Sequence, residues 1–162
     1  MASTAAGRAT TPDAPAGRPP ELEDPLNRYV YHPLARRLAR RLQPTGIGAN
    51  AVSVAGMLLV WAAAAAYVGL GWPQSVLIGF ALHLAWHVAD GADGDLARLN
   101  PTASPTGELV DGVCDYAGHA VLYVALAAML DDALGGWAWA LASAAGASHI
   151  AQTNHAETQR RA

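Results

Sequence analysis

Four aspartates stand close together along the middle of the sequence: Asp90, Asp93, Asp111 and Asp115. Asp90 and Asp93 are three residues apart and Asp111 and Asp115 are four apart, so on helices each pair shares a face. The prolines of Arg98-Leu99-Asn100-Pro101-Thr102-Ala103-Ser104-Pro105 stop one helix, and Ser104-Pro105 starts the next. The chain reverses there, which predicts antiparallel neighbours with two carboxylate pairs facing each other. Four carboxylates at the edge of apolar helices repel one another and are costly to desolvate. Divalent cations offset both penalties. A donor set made only of oxygen favours hard ions, Mg²⁺, Mn²⁺ or Ca²⁺, over zinc. A pair of such ions could clamp a pyrophosphate and support in-line displacement at phosphorus.

Small residues surround the acids. Gly94 follows Asp93, Ala97 lies two turns beyond Asp90, Gly107 lies one turn before Asp111, and Gly118 two turns after it. Small side chains let helices or a ligand approach closely. Arg98, one turn past Gly94, could bind a phosphate oxygen. An EF-hand is excluded, because Asp90, Asp93 and Asp95 lack the D-x-D-x-D-G spacing of its loop. Other polar residues are less decisive. His83 and His87 continue the face of Asp90, and His119 is one turn past Asp115. Intramembrane histidines serve as ligands or proton carriers, but hydrogen-bonded packing is the commoner role. Ser148, Gln152 and His155, with Asn154 and Glu157 close by, form a polar end to the last helix that could line an acceptor pocket.

The elements that must position these groups are apolar helices. Ala51 to Gly71 carries no charge, and a helix of about 20 residues spans the hydrocarbon layer. Trp72-Pro73 ends it. Further apolar stretches run over 76–89, 113–130 and 133–151, with a tight polar turn expected at Asp131-Asp132. Ahead of them, Asp24-Pro25 reads as a helix start, and a second short helix is expected to begin near Pro33. In it Leu34, Leu38 and Leu42 recur at every fourth position among Arg36, Arg37, Arg40 and Arg41, the pattern of a helix lying in the membrane interface. All ten basic residues are arginine. Threaded back and forth, the membrane leaves the arginines on one side, which predicts four crossings with both termini cytoplasmic. A soluble bundle would explain the apolar runs but not the one-sided arginines. The fold class is therefore all-α, a polytopic membrane bundle. Residues 1–23 read as a disordered tail without the apolar core of a signal peptide. The net charge of −3 excludes a typical nucleic-acid binder, and the single Cys114 excludes an internal disulfide.

The acidic segment resembles the signature of the CDP-alcohol phosphotransferases (CDP-alcohol phosphatidyltransferases), D-x2-D-G-x2-A-R-x8-G-x3-D-x3-D. Asp90, Asp93, Gly94, Ala97, Arg98, Gly107, Asp111 and Asp115 match it with every spacing kept. The resemblance implies a membrane domain over residues 24–162 in which Asp90, Asp93, Asp111 and Asp115 hold two divalent cations, Mg²⁺ or Mn²⁺. Asp115 would also be the general base. The ions and Arg98 would hold the pyrophosphate of a CDP-linked lipid donor, with Gly94, Ala97 and Gly107 leaving room for the nucleotide. Asn50 and Ser53 resemble an Asn-x-x-Thr stretch near the nucleotide, although Ala49 stands where members often have proline; a simple helix cap is the competing reading. The implied function is phospholipid synthesis: transfer of a phosphatidyl group, from CDP-diacylglycerol, to a small alcohol with release of CMP. The setting would be a bacterial inner membrane with the site on the cytoplasmic side, and a homodimer is a family expectation. Members usually have six membrane helices, so four crossings would leave the last two unaccounted for. Two other readings stay open: a His/Asp-lined metal-ion transporter and an inactive membrane fragment.

Overall fold

The computed structural model describes residues 25–100 and 104–161, with side chains described through residue 155. The expected N-terminal tail and Asp24 lie outside these residues. The described chain is helical, without strands. A π-helical turn, Asn27–Tyr31, runs directly into α1, His32–Leu42. The helix expected to begin near Pro33 thus starts at His32, continuous with the turn before it. The widened turn sits just ahead of the proline, whose ring clashes with a regular preceding turn. Gly46, at φ 78°, then reverses the chain before α2, Ala49–Gly69. It is followed by α3, Gln74–Leu99, α4, Pro105–Leu134, and α5, Gly136–Arg161.

The start of α4 follows the expectation, because Ser104 caps it by accepting a hydrogen bond from the Gly107 N–H at 3.1 Å. Its end does not. Asp131 and Asp132 stay helical, and the reversal falls at Gly135, whose φ of 55° and ψ of −140° suit a residue without Cβ. Trp139 Nε1 donates to Asp131 Oδ1 at 2.8 Å, so this carboxylate ties the turn together.

Helix α2 is the spine. It packs against both α3 and α4, while α1 lies on α3 and α5 on α4. In lipid there is little hydrophobic gain from joining helices, so close van der Waals fit decides the packing. Small residues supply it. Ala35 and Ala39 of α1 are buried against Val52, Ala89, Ala92 and Leu96. Leu38 and Leu42 are partly buried against the same cluster, and Leu34 is exposed. A second cluster joins Val60, Ala63 and Tyr67 to Trp86 and Leu122. At Gly118 a Cβ would stand 2.8 Å from Val60 Cγ1 and 3.5 Å from the Trp86 ring, so only glycine allows this crossing.

Among the described residues three helices, α2, α3 and α4, are long and apolar enough to cross a membrane. The fourth expected crossing falls on α5, which is not among them, because Ser148, His149, Gln152 and Thr153 interrupt its apolar run. Large apolar side chains such as Leu58, Phe80 and Val124 point outward, as lipid-facing residues do.

Candidate active site

Helices α2, α3 and α4 enclose a cleft of about 420 Å³. All six residues singled out for substrate line it: Asn50 and Ser53 from α2, Gly94, Ala97 and Arg98 from α3, and Gly107 from α4. Asp93 and Asp111 line it too. Helices α3 and α4 do not pack closely backbone to backbone; α2 holds both, and the gap between them is bridged by side chains. That spacing is what leaves room for a ligand. Gly94 faces only the flexible Arg98 guanidinium, and at Gly107 a Cβ would meet Asn50 Oδ1 at 3.4 Å. Bare backbone at these two points keeps the cleft open.

Asp93 is the most deeply set acid, 4% exposed. Ser53 Oγ donates to Asp93 Oδ2 at 2.6 Å, and the Gly94 N–H donates to Oδ1 at 2.6 Å. Ser53 Oγ also lies 3.2 Å from the Ala49 carbonyl, but the hydroxyl has one proton, and the shorter contact to Asp93 takes it. Asp111 comes within hydrogen-bond reach of Asp93 across the gap. Asp90 has Asp115 and Asp111 as electrostatic neighbours.

Residues 47–159 match the sequence profile of the CDP-alcohol phosphatidyltransferases. The chain belongs to this family. No individual curated protein matches it. Membership makes the chain a transferase of a family that works on CDP-alcohols, and the family is typically dependent on divalent metal. The four acids offer the oxygen donors that hard cations prefer, and Asp93 and Asp111 reach each other across the gap between α3 and α4.

Asp115 differs from the other three acids. Its Oδ1 is 3.0 Å from His119 Nδ1, and its Oδ2 is 3.6 Å from Nε2 of His149 on α5. The two imidazoles stack at 3.7 Å between centroids. Asp115, His119 and His149 have the donor types of a metal site, with ligand atoms within 4.8 Å of one another. His149 was not legible in the sequence, since no spacing rule links α5 to Asp115. Its expected neighbours on α5 are engaged elsewhere: Gln152 Nε2 donates to Ser148 Oγ at 3.2 Å, and Asn154 Oδ1 accepts from the Tyr116 hydroxyl at 3.4 Å. His83 and His87 stack with each other and with Trp86, and His87 also meets Tyr31. Arg98 reaches Asp95 Oδ1 at 2.7 Å while still lining the cleft.

Proposed function

We propose that the chain transfers a phosphatidyl group from a CDP-linked lipid, CDP-diacylglycerol, to the hydroxyl of a small alcohol and releases CMP. The observation that carries this reading is the gathering of Asn50, Ser53, Gly94, Ala97, Arg98 and Gly107 with Asp93 and Asp111 around one cleft. Asp90, Asp93, Asp111 and Asp115 would hold two divalent cations, Mg²⁺ or Mn²⁺. When bound, these ions supply charge neutralisation for the pyrophosphate.

The chain's own residues do the rest. Gly94 and Gly107 admit the nucleotide. Arg98, on an exposed side chain, exchanges its partner Asp95 for a phosphate oxygen. Ser53 keeps Asp93 in one orientation. Asp115 accepts the proton of the acceptor hydroxyl as that oxygen attacks the phosphorus distal to cytidine. The new O–P bond forms, the bond from that phosphorus to the bridging oxygen breaks, and CMP leaves with the electron pair.

The one-sided arginines support a cytoplasmic cleft and cytoplasmic termini in a bacterial inner membrane. The exposed arginines of α1, with Leu34 beside them, support its lying among lipid headgroups. In this reading α5 is the fourth crossing, and a second copy of the chain is the partner.

The test is an assay of the purified protein with labelled CDP-diacylglycerol and a panel of alcohols, with and without Mg²⁺ or Mn²⁺. Metal-dependent CMP release with one alcohol names the reaction. A folded protein that releases no CMP with any alcohol refutes it. Metal flux into proteoliposomes would then point to a transporter, and silence in both assays to an inert fragment.

A further inference from the structure

We propose that His119 and His149 are positioning residues for Asp115, and that through His149 the last helix completes the catalytic centre. The inference rests on the reading of Asp115 as the base.

The two imidazoles come from different elements and address different oxygens. His119, on Asp115's own helix, has Nδ1 3.0 Å from Asp115 Oδ1 and 3.0 Å from the Asp115 carbonyl oxygen. A nitrogen facing two acceptors carries the proton, so Nδ1–H donates to both. His149 comes from α5, and its Nε2 is buried with no hydrogen-bond partner, 3.6 Å from Asp115 Oδ2. A buried polar atom left unpaired is costly, and this one is aimed at the second carboxylate oxygen. Catalytic hydrogen bonds are often long without substrate and tighten in the complex.

The surroundings lock the pair in place. The His119 and His149 rings stack at 3.7 Å with an interplanar angle of 24°, and Trp86 of α3 meets His119 edge-on at 4.8 Å. The stack also bears on how the trio is used. Each ring nitrogen directs its proton or lone pair within its own ring plane. Two near-parallel rings 3.7 Å apart direct them side by side, which suits two donors to the two oxygens of one carboxylate.

An ionised carboxylate has about four lone-pair sites. His119 takes one, and His149 takes a second, on the other oxygen, once its 3.6 Å approach closes to hydrogen-bond length. Two remain, enough for a cation and for the incoming hydroxyl proton. Held at both oxygens, the carboxylate cannot rotate about its last bond. Held by His119 alone, it can, and a misplacement of about 1 Å costs on the order of 100-fold in rate.

The test compares His149→Leu, His149→Asn and His149→Gln with Asp115→Asn in nanodisc-reconstituted full-length protein, measuring kcat and the KM for CDP-diacylglycerol. Glutamine places its amide nitrogen where Nε2 stands; asparagine stops short. We expect kcat to fall by roughly 10- to 100-fold in the Leu and Asn variants, to recover by at least half of that loss in the Gln variant, and the donor KM to stay within about twofold throughout. Loss of turnover in Asp115→Asn together with near wild-type kcat in His149→Leu overturns the positioning role and leaves the base standing. Turnover retained in Asp115→Asn overturns the base itself. A second readout needs no turnover or His149 variant. In ¹⁵N-histidine-labelled protein, Asp115→Asn should shift the ring nitrogens of both His119 and His149; an unmoved His149 overturns the proposal.

Discussion

Replacing Ser53 by alanine removes one hydroxyl from a buried hydrogen bond and tests how the cleft prepares an acid for its cation. Ser53 Oγ donates to Asp93 Oδ2 at 2.6 Å, with Asp93 4% and Ser53 6% exposed. A hydrogen bond to a charged group is worth about 1.5–3 kcal/mol. At about 1.4 kcal/mol per decade that corresponds to roughly 10- to 150-fold. Changes to residues that orient ligating side chains cost about 10- to 100-fold in metal affinity, the same range. The loss should appear in cation binding rather than chemistry, because Ser53 fixes Asp93 and does not contact Asp115. The assay is a Mg²⁺ titration of CMP release with a parallel calorimetric titration of the resting protein. Ser53→Ala should raise the half-saturating Mg²⁺ at least tenfold, with kcat at saturating Mg²⁺ within a few-fold of wild type. An unchanged Mg²⁺ midpoint, in a variant of unaltered thermal stability, would refute the assignment of Asp93 as a ligand oriented by Ser53.

Asp115→Asn should leave cation binding largely intact in the same calorimetry and abolish turnover, since an amide cannot take the hydroxyl proton; measurable turnover would remove Asp115 from that role. Arg98→Ala should raise the donor KM by roughly tenfold, the scale of one charge-assisted phosphate contact, while Asp95→Asn should change KM by less than about twofold because exposed ion pairs are worth little. Gly118→Ala should destabilise the bundle by about 1–3 kcal/mol through overpacking, read as a lowered Tm in detergent, because its methyl would meet Val60 at 2.8 Å. Gly56→Ala, whose methyl would sit 3.4 Å from Trp86, should cost much less in the same melt.

Much of the site was legible because its chemistry repeats at helical spacing. Asp90 with Asp93, and Asp111 with Asp115, could be assigned to shared faces from three- and four-residue separations alone. Gly94, Ala97, Arg98 and Gly107 followed from the same local register, and all four line the cleft. The membrane character was equally local, since an uncharged run long enough to span lipid is a property of one segment. Where the structure departs from or adds to that reading, one cause is local and one is a contact between helices. Asp131-Asp132 looked like a turn, but Gly135 supplied a backbone conformation that costs side-chain-bearing residues more. On α1 the repeat of leucines and arginines was legible, but not that Ala35 and Ala39 would be the residues buried against α3.

The amino-acid sequence by itself determined which residues share a helix face, where apolar runs are long enough to span, and which acids form the quartet. Tertiary structure alone decided that Ser53, forty residues away in sequence, holds Asp93, and that His149 of α5 faces Asp115. The physical reason is that spacing along one helix fixes angles about its own axis. The rotation of one helix against another is set instead by how closely the two approach, here at Gly118 and the alanines of α1 and α3, and that fit exists only once both surfaces are present.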